Sequence, residues 1–126
     1  MQIHQSAEDY LETILMLNQR MGRVRSIDVV NELGYTKASV SIAMKKLREN
    51  GYIAVDGEGN LTLLEPGREI AERIYSRHRL LTHFFVQLGV DEEVAAEDAC
   101  KAEHILSEQT LEKIREYALL HDAQDS

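Results

Sequence analysis

Apolar residues recur at helical spacing along the first half of the chain. In the segment 7–21, leucine and isoleucine side chains lie three and four residues apart, which predicts a first helix that follows the N-cap candidate Ser6. Two shorter periodic segments follow, for which Ser26 and Thr36 are suitable N-caps, and Gly34 lies in the tight turn that joins them. Two short helices joined by a turn that contains glycine predict a helix-turn-helix unit.

The periodicity changes after Gly51. Residues 52–55 and 61–64 have the composition of two short strands, and the intervening segment 56–60 is rich in Asp, Gly and Asn, which favour tight turns. A hairpin that directly follows a helix-turn-helix predicts the wing of a winged helix.

The rest of the chain returns to helical periodicity. It predicts a long helix from Pro66 to Gly89, a fifth helix from about Asp91 to Leu106, and a sixth capped by Ser107. These helices carry more apolar surface than so few of them can bury, which indicates a two-fold homodimer. We therefore predict a mainly α fold: an N-terminal winged helix-turn-helix with a two-stranded wing over 1–64, then a helical dimerisation lobe over 65–126.

The charge of the chain is unevenly distributed. A net charge of −8 disfavours nucleic acid as a partner, but basic residues dominate the segment 20–48 and acidic residues dominate from Asp91 onward. This asymmetry predicts a DNA-binding lobe and a separate acidic lobe. The single cysteine, Cys100, has no partner for an internal disulfide, which favours a reducing cytoplasm. No apolar run approaches the roughly 20 residues of a membrane span, and the N-terminus is too polar for a signal peptide, so we expect a cytoplasmic protein without a membrane partner.

The third helix is the candidate recognition helix. Its first residues are small or polar, as expected for contacts with base edges and phosphates of double-stranded DNA, and its later residues are basic. The predicted DNA-binding residues are Arg25, Ser26, Thr36, Lys37, Ala38, Ser39, Ser41, Lys45 and Lys46.

Three groups of metal-binding residue types occur on predicted helices. Asp9 and Glu12 lie at i and i+3 of the first helix, and His78 lies on the fourth. The predicted fifth helix carries the third group, Cys100, Glu103 and His104, at i, i+3 and i+4. The absence of paired Cys-x-x-Cys units argues against a structural zinc site. Oxygen and nitrogen donors suit manganese(II) or iron(II), and one thiolate shifts the preference toward iron, cobalt or zinc.

Three other functions are compatible with these patterns. A winged-helix regulator that senses an organic ligand, or a redox signal through Cys100, would not respond to metal. A metal-dependent hydrolase needs a nucleophile and an oxyanion donor, and neither is evident in the sequence, so we expect no enzymatic activity. A protein-interaction module would show no salt-dependent affinity for DNA.

Four segments of the chain resemble the diphtheria toxin repressor family, and in particular its short manganese transport regulator branch. They are Ala7-Glu8-Asp9-Tyr10-Leu11-Glu12, Ser39-Val40-Ser41, Arg77-His78-Arg79-Leu80-Leu81, and Gly89 to Glu93 continuing to Cys100-Lys101-Ala102-Glu103-His104-Ile105-Leu106-Ser107. The resemblance implies a metal-dependent repressor of metal uptake genes that binds an inverted-repeat operator as a homodimer. It also implies that the lobe over 65–126 binds metal as well as forming the dimer.

The resemblance also implies a ligand set for one or two ions per subunit. Asp9, Glu12, His78, Glu103 and His104 stand at ligand positions of the manganese branch. Cys100 matches the iron-sensing branch instead, so manganese(II) and iron(II) both remain candidates, with cobalt(II) or zinc(II) as substitutes in vitro. Thr82 and Ala96 stand where the iron branch has additional ligands, which implies that its other metal site is absent in its usual form.

Overall fold

The computed structural model describes the backbone of residues 5–125 and the side chains of residues 5–122. Within this range the helices are α1 (Gln5–Met21), α2 (Ser26–Leu33), α3 (Lys37–Glu49), α4 (Glu65–Gln87), α5 (Glu92–Ala102) and α6 (Glu108–Asp125), and the strands are β1 (Ile53–Val55) and β2 (Leu61–Leu63). The chain divides into a first unit that ends at Arg73 and a second unit that begins at Ile74. In the described part of the chain, every helix is too short or too polar to cross a membrane. The predicted division at 64/65 stays a prediction, and its outermost residues, 1–4 and 126, lie outside the described backbone.

The first unit contains the predicted helix-turn-helix. Gly34 ends α2 in the left-handed region, with φ of 72°, and its N–H donates to the Val30 carbonyl. Thr36 caps α3, because its hydroxyl accepts a hydrogen bond from the Ser39 N–H at 3.1 Å. Apolar side chains from each helix of the unit and from the hairpin are buried, among them Leu11, Ile14, Val29, Val40 and Ile53.

The wing is confirmed, and it is wider than the predicted hairpin. β1 and β2 pair antiparallel, with Ala54 opposite Thr62. The segment before α2 adds to this ladder: the Leu61 N–H donates to the Val24 carbonyl at 2.7 Å, and Arg25 pairs with Asn60 in an isolated bridge. The wing is thus anchored to the start of the helix-turn-helix by main-chain hydrogen bonds.

Asp56 organises the turn of the wing. Its Oδ1 accepts hydrogen bonds from the N–H groups of Glu58 and Asn60, each at 2.9 Å, and its Oδ2 accepts one from the Asn60 side-chain amide at 3.0 Å. These bonds, led by the Asn60 N–H, hold the pKa of the Asp56 carboxyl below the range of an ordinary aspartate. The ionised Asp56 side chain therefore accepts hydrogen bonds from main-chain N–H groups of the turn.

We expect the wing to loosen in acid as Asp56 takes up a proton. A depressed folded-state pKa contributes stability that is present above the unfolded-state pKa and is lost as the pH falls through the folded value. In an NMR titration from about pH 5 to pH 2, the Glu58 and Asn60 amide signals should shift together with the Asp56 carboxyl signal. Glu58→Gln removes a neighbouring charge without removing these bonds and should leave the titration in place. A carboxyl that titrates at an ordinary aspartate pKa would contradict the role of these bonds.

The second unit contains the part of α4 from Ile74 onward, with α5 and α6. Its core is the cluster of Leu81, Ala99 and Leu111, against which Phe85 and Ile114 pack. The predicted cap of α6 is confirmed, since the Ser107 hydroxyl accepts from the Thr110 N–H at 3.2 Å.

Several predicted helix ends were wrong. The N-cap of α2 is Arg25, so Ser26 is the first residue of the helix rather than its cap. α1 begins at Gln5, so Ser6 lies inside the helix rather than capping it. α5 ends at Ala102 rather than Leu106, because the chain tightens there: both Ile105 N–H and Leu106 N–H donate to the Ala102 carbonyl.

Candidate functional site

The exposed face of α3 is the candidate DNA-reading surface. Val40, Met44 and Leu47 turn inward and are buried. The predicted DNA-binding residues of this region, Thr36, Lys37, Ala38, Ser39, Ser41, Lys45 and Lys46, are all exposed. The side chains of Thr36 and Ser39 are linked, because the Ser39 hydroxyl accepts a hydrogen bond from the Thr36 hydroxyl at 2.9 Å. The helix therefore presents small, hydroxyl and cationic side chains on the side opposite the core of the first unit.

Arg25 and Ser26 lie at the start of α2, beside the wing. The guanidinium of Arg25 donates to the Glu58 carbonyl, and the Arg25 N–H donates to the Asp28 carboxylate at 2.9 Å. Ser26 is the first residue of α2 and is half-buried. Arg25 is thus oriented by the wing tip while remaining exposed. Sequence reasoning missed this link because nothing in the local pattern connects positions 25 and 58.

In the second unit, one buried carboxylate contacts two imidazoles. Oε2 of Glu103 lies 2.9 Å from Nδ1 of His78, and Oε1 lies 3.5 Å from Nε2 of His104. The Glu103 side chain is 0% exposed and that of His104 is 1% exposed. The structure therefore brings together His78, Glu103 and His104, three of the predicted ligands. The carboxylate and the imidazoles offer oxygen and nitrogen donors that suit a first-row divalent ion.

The backbone around Glu103 differs from the predicted helix. Glu103 and His104 follow the last residue of α5, whereas Cys100 lies on α5 and is exposed. The Glu103 carbonyl accepts a hydrogen bond from the Arg77 guanidinium at 3.2 Å. The prediction that Cys100, Glu103 and His104 share one helix is therefore wrong for the last two, because the chain leaves the helix at Glu103 and its carbonyl bonds to a side chain.

Arg77 is a contributor to this cluster that sequence reasoning missed. Besides the Glu103 carbonyl, its guanidinium contacts the Glu108 carboxylate at the start of α6, and its side chain is only 14% exposed. Its position beside His78 was the available signal, but no spacing rule connects residue 77 with residue 108. Arg77 fixes the turn that carries Glu103 and His104.

The first unit supplies two predicted ligands on α1. Asp9 and Glu12 are one turn apart, which places their carboxylates on one face of the helix; Asp9 is half-buried and Glu12 is 5% exposed. Between them in sequence, burial raises the pKa of Tyr10, with further contributions from Tyr35 and Asp9. Tyr10 and Tyr35 meet edge to face, with ring centroids 5.9 Å apart. Solvent therefore has little access to this end of α1. The cost of burying a carboxylate there must be offset by cations or hydrogen-bond donors.

Thr82 and Ala96, at the positions of the iron branch's additional ligands, carry neither a carboxylate nor an imidazole. The Thr82 hydroxyl is buried and has no hydrogen-bond partner among the described residues. A hydroxyl and a methyl group make a poor second set of ligands for a divalent ion.

Comparison with known proteins agrees with the fold. The family model "Iron dependent repressor, N-terminal DNA binding domain" matches residues 2–61, and "Iron dependent repressor, metal binding and dimerisation domain" matches residues 64–119. An uncharacterized HTH-type transcriptional regulator of Methanocaldococcus jannaschii is 36% identical over 113 residues, which cover 88% of this chain and 90% of that protein. The HTH-type transcriptional regulator MntR of Bacillus subtilis is 32% identical over 121 residues, 96% of this chain and 85% of that protein.

A solved structure of a repressor is similar to this chain in fold. A manganese-dependent transcriptional repressor in complex with manganese is 28% identical, with a TM-score of 0.81, over 89% of this chain and 52% of that one. The chain thus spans about half the length of this solved relative.

The winged helix-turn-helix and the two matched domains define a metal-dependent transcriptional regulator. The chain belongs to the iron-dependent repressor family, which is the diphtheria toxin repressor family, and several of its relatives are manganese regulators. The family resemblance and the fold class predicted from the sequence are confirmed.

Proposed function

We propose that this protein is a metal-activated repressor that binds an inverted-repeat operator in double-stranded DNA as a homodimer and controls metal uptake genes. The observation that carries the proposal is the buried carboxylate of Glu103, in contact with His78 and His104. This cluster lies in the segment that the family's metal-binding and dimerisation model matches. The manganese-dependent repressor among the solved relatives supports manganese(II) as the activating ion, with iron(II) as the alternative.

The proposed metal ligands are the residues that the sequence and the family resemblance indicate. They are Asp9, Glu12, His78, Cys100, Glu103 and His104. Glu12 and Glu103 are buried, and a divalent ion bound by a buried carboxylate would contribute positive charge that favours its ionised form. Cys100 is the ligand least typical of a manganese site, because a thiolate favours softer ions than manganese(II). We propose one or two ions per subunit.

The proposed DNA contacts are made by α3 and the start of α2. Lys37, Lys45 and Lys46 would neutralise phosphates, which gives affinity without sequence preference. Thr36, Ala38, Ser39 and Ser41 would face the groove, and Arg25 and Ser26 would add contacts beside the wing. The basic residues of α3 belong to the first unit, whereas the acidic segment from Asp91 onward belongs to the second.

The proposed homodimer accounts for apolar side chains that the second unit leaves exposed. Four of them are at least 60% exposed, which is costly for isolated helices in water. They are Leu88, Ile105, Leu119 and Leu120. We assign the second domain, proposed to cover 65–126, to dimerisation and metal binding, and 1–64 to DNA binding. We also propose that the protein acts as a regulator and not as an enzyme, and that it acts in the cytoplasm.

Fluorescence anisotropy of a labelled operator tests this function. The duplex is obtained by selection from a randomised library with the metal-loaded protein, and binding is then measured anaerobically at fixed salt. Manganese(II), iron(II), cobalt(II) and zinc(II) are compared with a metal-free sample. We expect the activating ion to tighten binding by about 5- to 150-fold, reversibly with chelator, which is the usual range of coupling between two sites. Metal-independent affinity would contradict metal activation, and absence of salt-dependent affinity would contradict DNA binding itself.

A further inference from the structure

α3 carries a large apolar side chain that the core of the first unit does not use. Ile42 is 58% exposed, whereas the buried positions of this helix are Val40, Met44 and Leu47. A single exposed isoleucine is ordinary on a protein surface, so the neighbouring side chains decide what it contacts.

The neighbours of Ile42 form a polar and basic face. Ala38, Ser41, Ile42 and Lys45 are spaced i, i+3, i+4 and i+7, so they lie on one side of α3, and all four are exposed. The helix contains four lysine and arginine residues and a single acid, Glu49, which is its last residue. This charge is complementary to a polyanion and would oppose association with another basic surface.

The major groove of DNA offers an apolar group that an isoleucine can contact. Base edges present hydrogen-bond donors and acceptors there, together with the C5-methyl group of thymine. Ser41 and Lys45 can pair with polar edges or phosphates, whereas Ile42 has no donor or acceptor. Ile42 is also the sixth residue of α3, within the N-terminal half of the helix that faces base edges in helix-turn-helix proteins.

We infer that Ile42 is a specificity-determining residue that selects thymine at one position of each operator half-site through its C5-methyl group. This inference rests on the proposed function, since it requires α3 to lie in the major groove. Removing the methyl from the base, or the side chain from position 42, removes the same apolar contact. The two changes should therefore be non-additive.

A scan with deoxyuridine tests the inference, because uracil differs from thymine only by the missing methyl group. In the selected operator, each thymine is replaced in turn, symmetrically in both half-sites. Burial of one methyl group per half-site predicts a loss of about 4-fold per half-site for the wild type at one position. Ile42→Ala should bind the thymine operator more weakly and should show no loss at that position when uracil replaces thymine.

Ile27→Ala is the matched control, because Ile27 is 42% exposed and lies on α2. This variant should keep the wild-type difference between thymine and uracil. If Ile42→Ala keeps that difference at every position, or if the wild type shows none, the assignment of Ile42 is overturned while DNA binding stands. If the wild type binds no duplex with any of the four metals, the proposed function fails first, and the inference fails with it.

Discussion

Replacing Glu103 with glutamine is expected to abolish the metal response of DNA binding while leaving the chain folded. The change removes the negative charge but keeps the size of a side chain that is 0% exposed and contacts His78 and His104. A neutral amide is a weaker ligand than a carboxylate for manganese(II) or iron(II), because it lacks the negative charge that attracts the ion. Because the amide keeps the shape of the side chain and can still form hydrogen bonds with the imidazoles, the metal-free variant should remain folded. The tightening of about 5- to 150-fold expected for the wild type should fall to less than about 2-fold.

Two measurements separate loss of the ion from loss of the fold. Manganese(II) should raise the thermal unfolding temperature of the wild type. A ligand that binds only the folded state, present at a concentration of about 100 times its Kd, adds about 2.7 kcal/mol to the free energy of unfolding. Glu103→Gln should lose this shift. Glu97→Gln removes the same charge from an exposed position of α5 and should retain both the shift and the DNA response. A full metal response in Glu103→Gln would contradict the assignment of Glu103 as a metal ligand.

Most of the DNA-binding unit could be predicted from the sequence because its signals are local. The glycine at position 34 and the threonine at position 36 define a turn and a cap within three residues, and the structure contains both. The wing turn is equally local, since its hydrogen bonds join Asp56 to residues two and four positions later. What could not be predicted is the contact of Val24 and Arg25 with β2, because it joins segments more than 30 residues apart.

The proposed metal ligands also show that local patterns do not reveal contacts between distant segments. Residue types and spacing were sufficient to select His78, Glu103 and His104 as candidate ligands, and the structure brings these three together. Periodicity, however, extended α5 through Glu103 to Leu106, since Ile105 and Leu106 continue the apolar pattern. The helix ends at Ala102, where the N–H groups of Ile105 and Leu106 both donate to the Ala102 carbonyl, and the Glu103 carbonyl beyond it accepts a hydrogen bond from Arg77 of α4. The contact with Arg77 joins residues 26 positions apart, so local propensity does not reveal it.

Gly67→Ala is expected to destabilise the protein strongly, although alanine is the better helix former. Gly67 is buried in the first turn of α4, and a Cβ built there overlaps the main-chain carbonyl oxygen of Tyr52. That oxygen already accepts a hydrogen bond from the Leu64 N–H at 3.0 Å. The added methyl must therefore displace main chain on both sides of the wing, rather than a flexible side chain. Overpacking of this kind costs about 1–3 kcal/mol, and the main-chain position favours the upper end of that range.

The helix propensity of alanine offsets about 1 kcal/mol of this cost, so the net loss should be about 2 kcal/mol in the free energy of unfolding. Chemical denaturation at one protein concentration measures it, since the stability of a dimer depends on concentration. Gly57→Ala is the control, because a Cβ at Gly57 has no described neighbour within 4 Å and the wing turn there does not need a positive φ. It should be neutral or stabilise by about 0.4–1 kcal/mol through the unfolded state. Equal effects of the two substitutions would mean that α4 can move away from Tyr52, and that the close approach at Gly67 does not fix the wing.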